Sequence, residues 1–377
     1  MTRTELERAC ARAGEGARID EAEALLLLRH APLPTLAELA TRARERLRPG
    51  AWASYIVNTN VNYTNVCVTR CGFCSFYRPP GHPEGYLLEH EEVLRRVREA
   101  QARGATQVLL QGGHHPRLRL EWLLELLRRL RAETGVWVHA LSAPEVAHLA
   151  RVEKQPLERV LVRLREAGLQ TLPGGGAELL DDEVRRAISP LKLETAGWLR
   201  VHEAAHRLGI RSSATLMFGT AHDRDEHIVR HLGRLRALQD RTGGFTAFIA
   251  WTYQQGPAPI PARAVEAAEY LRVLALARVF LDDVAVVQAS PLTRGPSLAG
   301  LALEHGADDL GNVLLEEHVV ASAGCQATLD EARARALIRE AGLEPRRRDT
   351  LYRLEEPGRG EPVREDGGVA RRLPVAS

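Results

Sequence analysis

Lysine is almost missing from this 377-residue chain: of 51 basic residues, only Lys154 and Lys192 are not arginine. Acidic residues are interspersed with the arginines throughout, and the formal charge is only +2. That balance argues against nucleic acid or an anionic membrane as a partner. Long apolar runs are missing as well; a stretch such as Ala24–Leu28 is far too short to span a bilayer. The first residues, Met1 to Arg8, are charged and helical in pattern and lack the apolar core of a signal peptide. Cysteines number five, three of them clustered, which excludes a disulfide framework. The expected setting is a reducing cytoplasm.

The clustered three stand in the run Cys67-Val-Thr-Arg-Cys71-Gly-Phe-Cys74. Thiolates select zinc, copper(I) or iron–sulfur clusters. A structural zinc or an electron-transfer cluster is ordinarily closed by four protein ligands. Here Cys10 and Cys325 lie far away in sequence and read as bystanders. Three thiolates holding a cluster leave one iron open to a small molecule. The competing reading is a zinc knuckle completed by His82, His114 or His115, which would make the chain a zinc-stabilised binding protein.

Around this motif the pattern is that of a (β/α)8 barrel, which needs about 250 residues. Helical spacing with a stop at Pro49-Gly50 predicts an N-terminal helical extension over 1–50. Strand and helix then alternate, the signature of a parallel sheet. The expected strands are Tyr55–Asn62, Gln107–Leu110, Val136–Leu141, Thr171–Pro173, Ser213–Phe218, Phe245–Trp251, Val284–Ala289 and Asn312–Glu316. Between them, amphipathic stretches end at Gly104, Gly135 and Gly209, residues suited to a left-handed helix end. Ser142-Ala-Pro-Glu145 reads as a helix start with a capping box. The barrel is expected over 51–327, a helical cap opening at Thr328 over 328–352, and a polar, disordered tail over 353–377.

Each unusual cluster of residues falls at the end of an expected strand, where a barrel builds its active site. The cysteine loop follows the first strand and Gln111-Gly112-Gly113-His114-His115 the second. His139-Ala-Leu-Ser142 follows the third, and Pro173-Gly-Gly-Gly-Ala-Glu178 the fourth. Trp251-Thr252-Tyr253-Gln254 ends the sixth. The glycine run is no phosphate loop, because the Lys-Ser/Thr ending is absent. His114 and His115 are adjacent, so on an extended loop they point to opposite sides and at most one faces a pocket. Either is a candidate general base. Trp251, Thr252 and Gln254, with Ser142, are candidates for a mixed aromatic and polar wall against a substrate.

The CxxxCxxC spacing resembles that of the radical S-adenosylmethionine (SAM) enzymes. Further runs narrow the resemblance: Asn62-Tyr-Thr-Asn-Val-Cys67, Cys74-Ser-Phe-Tyr-Arg78, Gln111 to His115, Leu172 to Glu178, Phe245 to Ile249 and Gly306 to Gly311. Together they resemble the ring-closing futalosine family of the menaquinone route, over about Val57 to Tyr352. Tyr63 and Tyr77 point to the cyclases rather than to the sister aminofutalosine synthases; the deazaflavin-core synthases are also close. Two local departures are a missing glutamate in Gly219-Thr-Ala-His222-Asp223 and Ala250 where a proline is usual.

The resemblance implies a 4Fe–4S cluster on Cys67, Cys71 and Cys74, with SAM chelated at the open iron. It implies that Phe73 lies beside the SAM adenine and that Gln111, Gly112 and Gly113 let backbone approach the SAM ammonium. Gly175 and Glu178 would meet SAM or the substrate. The implied substrate is a small nucleoside–benzoate molecule, dehypoxanthine futalosine. A 5′-deoxyadenosyl radical would take a hydrogen from its ribose, and the carbon radical would close on the benzoate ring. His114, His115 or Glu178 would accept the proton. A reductant such as flavodoxin or ferredoxin is the implied protein partner.

Overall fold

The computed structural model describes residues 3–325 and 329–355. Eight parallel strands close into a barrel: β1 (Trp52–Asn62), β2 (Gln107–Gln111), β3 (Trp137–Ala140), β4 (Thr171–Leu172), β5 (Arg211–Phe218), β6 (Phe245–Thr252), β7 (Val286–Gln288) and β8 (Asp309–Leu314). Closure is made by β1, which pairs with β8 on one side and with β2 on the other, Asn62 opposite Gln111. Every strand expected from the sequence is present, with ends shifted by a few residues. A ninth, β9 (Glu344–Arg347), was not expected. It runs parallel to the first residues of β1, Trp52 opposite Glu344 and Tyr55 opposite Arg347.

Three helices, Arg3–Glu15, Glu21–His30 and Leu33–Leu47, precede the barrel. They pack on the helices Asp225–Thr242 and Ala267–Phe280 that follow β5 and β6. Asp20 and Glu23 form a capping box at the start of the second. Its end is tied down by Arg272, which donates to the carbonyls of Leu28 at 2.8 Å and Ala31 at 2.7 Å. A cation there satisfies carbonyls that the helix leaves unpaired. The expected helix starts and stops hold at the barrel too: Gly135 adopts a left-handed φ of 65° where helix Leu120–Thr134 ends. The last helix, Glu331–Glu340, is capped by Asp330; Thr328 and the tail beyond 355 lie outside the described residues.

The barrel interior is unusual. Such barrels are ordinarily filled by layers of Val, Ile and Leu. Here inward positions carry Asn60 and Asn62 on β1, Gln107 and Gln111 on β2, His139 on β3, Ser213 and Thr215 on β5, and Asn312 on β8. Apolar residues on the other face of the strands, such as Val108, Leu110, Val138, Ala214, Leu216 and Phe248, are fully buried under the helices. These polar residues, with apolar neighbours such as Leu109, Met217 and Ile249, enclose a cavity of about 430 Å³. Among the described residues, no helix is long and apolar enough to cross a membrane.

Candidate active site

The loop after β1 is stitched to its neighbours by backbone bonds. Cys67 N donates to Arg78 O at 2.9 Å, Val68 N to His114 O at 3.1 Å and Gly72 N to Ile188 O at 2.9 Å. Asn65 braces it from behind, accepting from Tyr86 N at 2.9 Å and donating to Glu84 O at 3.0 Å. The result is that Cys67, Cys71 and Cys74 all line the one cavity. None of the five cysteines is in a disulfide.

Cys67, Cys71 and Cys74 share the lining of the cavity. Among the described residues, the trio of His, Cys, Asp or Glu with ligand atoms all within 4.8 Å of one another is Asp181, Glu183 and His227. Burial pushes the Cys71 thiol up to about 12, against the pull of Lys192. Thiolates so placed need a cationic centre to hold them deprotonated, and a cluster fits that requirement.

Beside the loop, Lys192 forms a buried salt bridge with Glu178, and its Nζ lies 5.0 Å from the centroid of the Phe73 ring. Burial depresses the Lys192 ammonium, but Glu178 and Cys71 more than offset it and the net shift is upward. Glu178 sits in the left-handed region, φ 45°, and its carbonyl accepts from Met217 N at 2.7 Å. All three residues line the cavity.

Comparison with known proteins agrees with this geometry. Residues 61–235 match the model of the radical SAM superfamily, and residues 242–359 match the CofH/MqnC C-terminal region. The chain is 44% identical to the cyclic dehypoxanthine futalosine synthase of Streptomyces coelicolor, over 90% of this chain and 86% of that protein. It is 39% identical to a 5-amino-6-(D-ribitylamino)uracil–L-tyrosine 4-hydroxyphenyl transferase of Methanoculleus marisnigri, over 90% of this chain and 95% of that one. The chain belongs to the radical SAM superfamily. Its barrel superposes on methylornithine synthase with a TM-score of 0.70 at 17% identity, covering 89% of this chain and 97% of that one, a likeness of fold.

In this radical SAM enzyme Gly112 and Gly113 are compelled by packing as well as by any ligand. A Cβ on Gly112 would lie 2.5 Å from the Tyr63 ring, and one on Gly113 would lie 2.3 Å from the carbonyl oxygen of Val66. Glu145 fixes this junction. Its buried carboxylate accepts from Gly112 N at 2.9 Å, Tyr63 Oη at 2.8 Å, Ser142 N at 2.7 Å and Ser142 Oγ at 2.6 Å. The expected capping box is thus present and does double duty. Ser142 lines the cavity with its hydroxyl engaged by Glu145. Gly175 faces Gln111, whose Nε2 would be 2.8 Å from an added Cβ.

The two histidines part company. His114 lines the cavity; its Nδ1 is 2.5 Å from Thr69 Oγ1 and its ring stacks on His148 at 5.0 Å. Burial, with help from the neighbouring His148, lowers its pKa to about 3, so the ring is neutral. His115 lines a small recess behind it with Leu118, His148 and Leu149, and accepts from Arg117 N at 3.2 Å. Trp251, Thr252 and Gln254 do line the cavity. Gln254 Nε2 donates to Thr252 Oγ1 at 3.0 Å and Thr293 O at 3.3 Å, bracing the wall. His82 does not reach it: its Nδ1 accepts from Glu84 N at 3.1 Å outside the cavity. At the departure after β5, Asp223 accepts from Gly219 N at 2.8 Å and Thr220 N at 2.7 Å and pairs with Arg263.

Sequence reasoning missed Lys192 and the far end of the cavity. Lys192 carried one signal, its rarity. The far end is lined by Gln107, Gln288, Arg348, Thr350 and Tyr352. The last three follow β9, a four-residue strand of sequence Glu-Pro-Arg-Arg that carries no strand signal of its own.

Proposed function

We propose that this enzyme converts dehypoxanthine futalosine to its cyclic form, the ring closure named in its Streptomyces coelicolor relative. The observation that carries the reading is that likeness, 44% identity along 90% of the chain, joined to a cavity of mixed polar and apolar lining with the cysteine loop at one end. Cys67, Cys71 and Cys74 would hold a 4Fe–4S cluster, which with SAM and one electron from a reductant would supply the abstraction of one hydrogen atom from a ligand held close by. The net change in the ligand is one carbon–carbon bond made and two carbon–hydrogen bonds broken. One hydrogen leaves in 5′-deoxyadenosine and the other as a proton, its electron returning to the reductant pool, for which a flavodoxin or ferredoxin is suited.

The chain's own residues have three duties. Glu145 holds the turn at Gly112 and, through Tyr63, locks it to the end of β1. Lys192 and Glu178 present a matched pair of charges beside Phe73 and would contact SAM there. The barrel cavity, with polar side chains set in a mainly apolar lining, holds ribose and benzoate ring in contact, which is where most of the rate advantage of such a site arises. His114, held neutral by burial and oriented by Thr69, is the proposed proton acceptor. Release of a proton that restores an aromatic ring asks only for a weak base.

The test is an anaerobic incubation of iron-reconstituted protein with reductant, SAM and dehypoxanthine futalosine, read by mass spectrometry. A product two hydrogens lighter than substrate supports the cyclase. SAM cleavage without that product, and coupling of tyrosine with 5-amino-6-(D-ribitylamino)uracil instead, would move the assignment to the transferases.

A further inference from the structure

The cavity has two chemically different ends. Every carboxylate that lines it lies beyond the end of a strand, at the cysteine end: Glu145 in the first turn of the helix after β3, and Glu178 and Glu317 in the loops after β4 and β8. The opposite end is lined by two amides and a guanidinium: Gln107, Gln288 and Arg348. That floor is built by the strap that follows β9. Its strand lies along the start of β1, and the chain then turns inward through Tyr352, a non-glycine residue at φ 62°. An aromatic residue in that conformation is strained, and such strain gathers where function over-determines the backbone.

The strap fixes which way the two amides face. Arg348 binds Asp309 through two nitrogens, Nε at 2.7 Å and Nη2 at 3.0 Å, and covers the Tyr352 ring at 3.8 Å. Its Nη2 also donates to Gln288 Oε1 at 3.4 Å, and Tyr352 Oη donates to the same oxygen at 3.0 Å. A guanidinium can only donate, so the oxygen of Gln288 is committed to the strap. Thr350 Oγ1 donates to Gln107 Oε1 at 2.8 Å in the same way. Neither Nε2 donates to another group among the described residues. The oxygen of Gln288 thus accepts two bonds from the strap and that of Gln107 one, which leaves the amide N–H groups of both residues as their uncommitted donors.

The geometry points to this floor as the subsite for an anionic acceptor, the carboxylate of a benzoate, with Gln107 and Gln288 as specificity-determining donors and Thr350 as a positioning residue. At the cysteine end a carboxylate would face Glu145, Glu317 and the Lys192–Glu178 pair; at the other end it meets amide N–H donors beside Arg348, which is itself paired with Asp309. Hydrogen bonds to a charged acceptor are the stronger kind. The assignment rests on the nucleoside–benzoate reading above.

Binding is measured by calorimetry on the reconstituted protein with SAM, comparing dehypoxanthine futalosine with its carboxamide analogue. The wild type prefers the acid by about tenfold or more, the worth of a hydrogen bond to a charged group. Thr350→Val and Gln107→Glu shrink that acid-over-amide ratio toward one, while Thr350→Ser keeps it. A change confined to overall affinity, equal for both ligands, would mean the strap is only structural and would overturn the inference. So would a wild type that does not distinguish acid from amide. Turnover stands apart: acid bound selectively but not cyclised sinks the cyclase reading and leaves the floor intact.

Discussion

The ammonium of Lys192 lies over the ring of Phe73, 5.0 Å from its centroid, while it is bound to the carboxylate of Glu178. One of two lysines in the chain thereby joins the loop after β1 to the loop after β4 in the lining of the cavity. Both side chains are about nine-tenths buried, so each is tolerated only with its partner. Lys192→Met should lower stability by about 3–5 kcal/mol, the penalty for stranding a buried charge. Adding Glu178→Gln should recover part of that loss. Chemical denaturation of the two variants checks this; equal stability of the single and double variants would contradict the pairing.

Cysteine replacement separates ligands from bystanders. Cys67→Ala, Cys71→Ala and Cys74→Ala should each leave reconstituted protein with little bound iron and no SAM cleavage. Cys10→Ala and Cys325→Ala should keep both, since Cys10 lies in the first helix and Cys325 donates to Gln254. Iron analysis and visible absorption decide it. Stoichiometric zinc retained by the Cys67 variant would contradict the cluster assignment.

Gly113→Ala should be harsher than its size suggests. Its Cβ would meet backbone, the Val66 carbonyl, which cannot rotate away. Overpacking of this kind costs roughly 1–3 kcal/mol, and the displaced segment leads straight into Cys67. Iron content should fall along with the melting temperature. A variant stable and fully loaded would show that the junction yields.

Much of this was legible in advance because the signals were local. Eight strands announced themselves through alternation of apolar runs with glycine-ended helices, and Ser142 to Glu145 through its capping box. The glycines were also legible, but their neighbours were not: only the fold brings Tyr63 against Gly112. The strap was hidden for a related reason. Its strand is short and charged and its partners are Asp309, Gln288 and Gln107, contacts 39 to 243 residues distant in sequence. His114 and His115 look alike in sequence, and the turn that separates them is tertiary.

Acid should destabilise the fold through histidines buried as neutral rings. His206 and His231 have pKa values lowered to about 4 and about 3, burial being the main cause, with Arg185 and Arg234 adding to it at His231. His231 Nδ1 accepts from Leu180 N at 2.9 Å, just beyond Glu178, a bond that needs the unprotonated ring. The unfolded chain takes up these protons near pH 6.5 and the folded one does not. Stability is therefore full above about pH 6.5 and falls as pH drops toward 4 and 3, by up to about 1.4 kcal/mol per pH unit for each ring. Urea midpoints from pH 7 to pH 4 should decline, less steeply in His231→Asn. A flat profile would contradict the buried neutral state.

The most direct measurement uses dehypoxanthine futalosine carrying deuterium at the ribose carbon that joins the ring oxygen to the exocyclic chain. Reconstituted protein is given this substrate with SAM and reductant under anaerobic conditions. The expected result is 5′-deoxyadenosine containing one deuterium, formed together with a cyclic product that has lost that deuterium and one further hydrogen. SAM cleavage with no deuterium transfer, or no SAM cleavage by protein that holds its iron, would contradict the assignment of this cavity to radical ring closure.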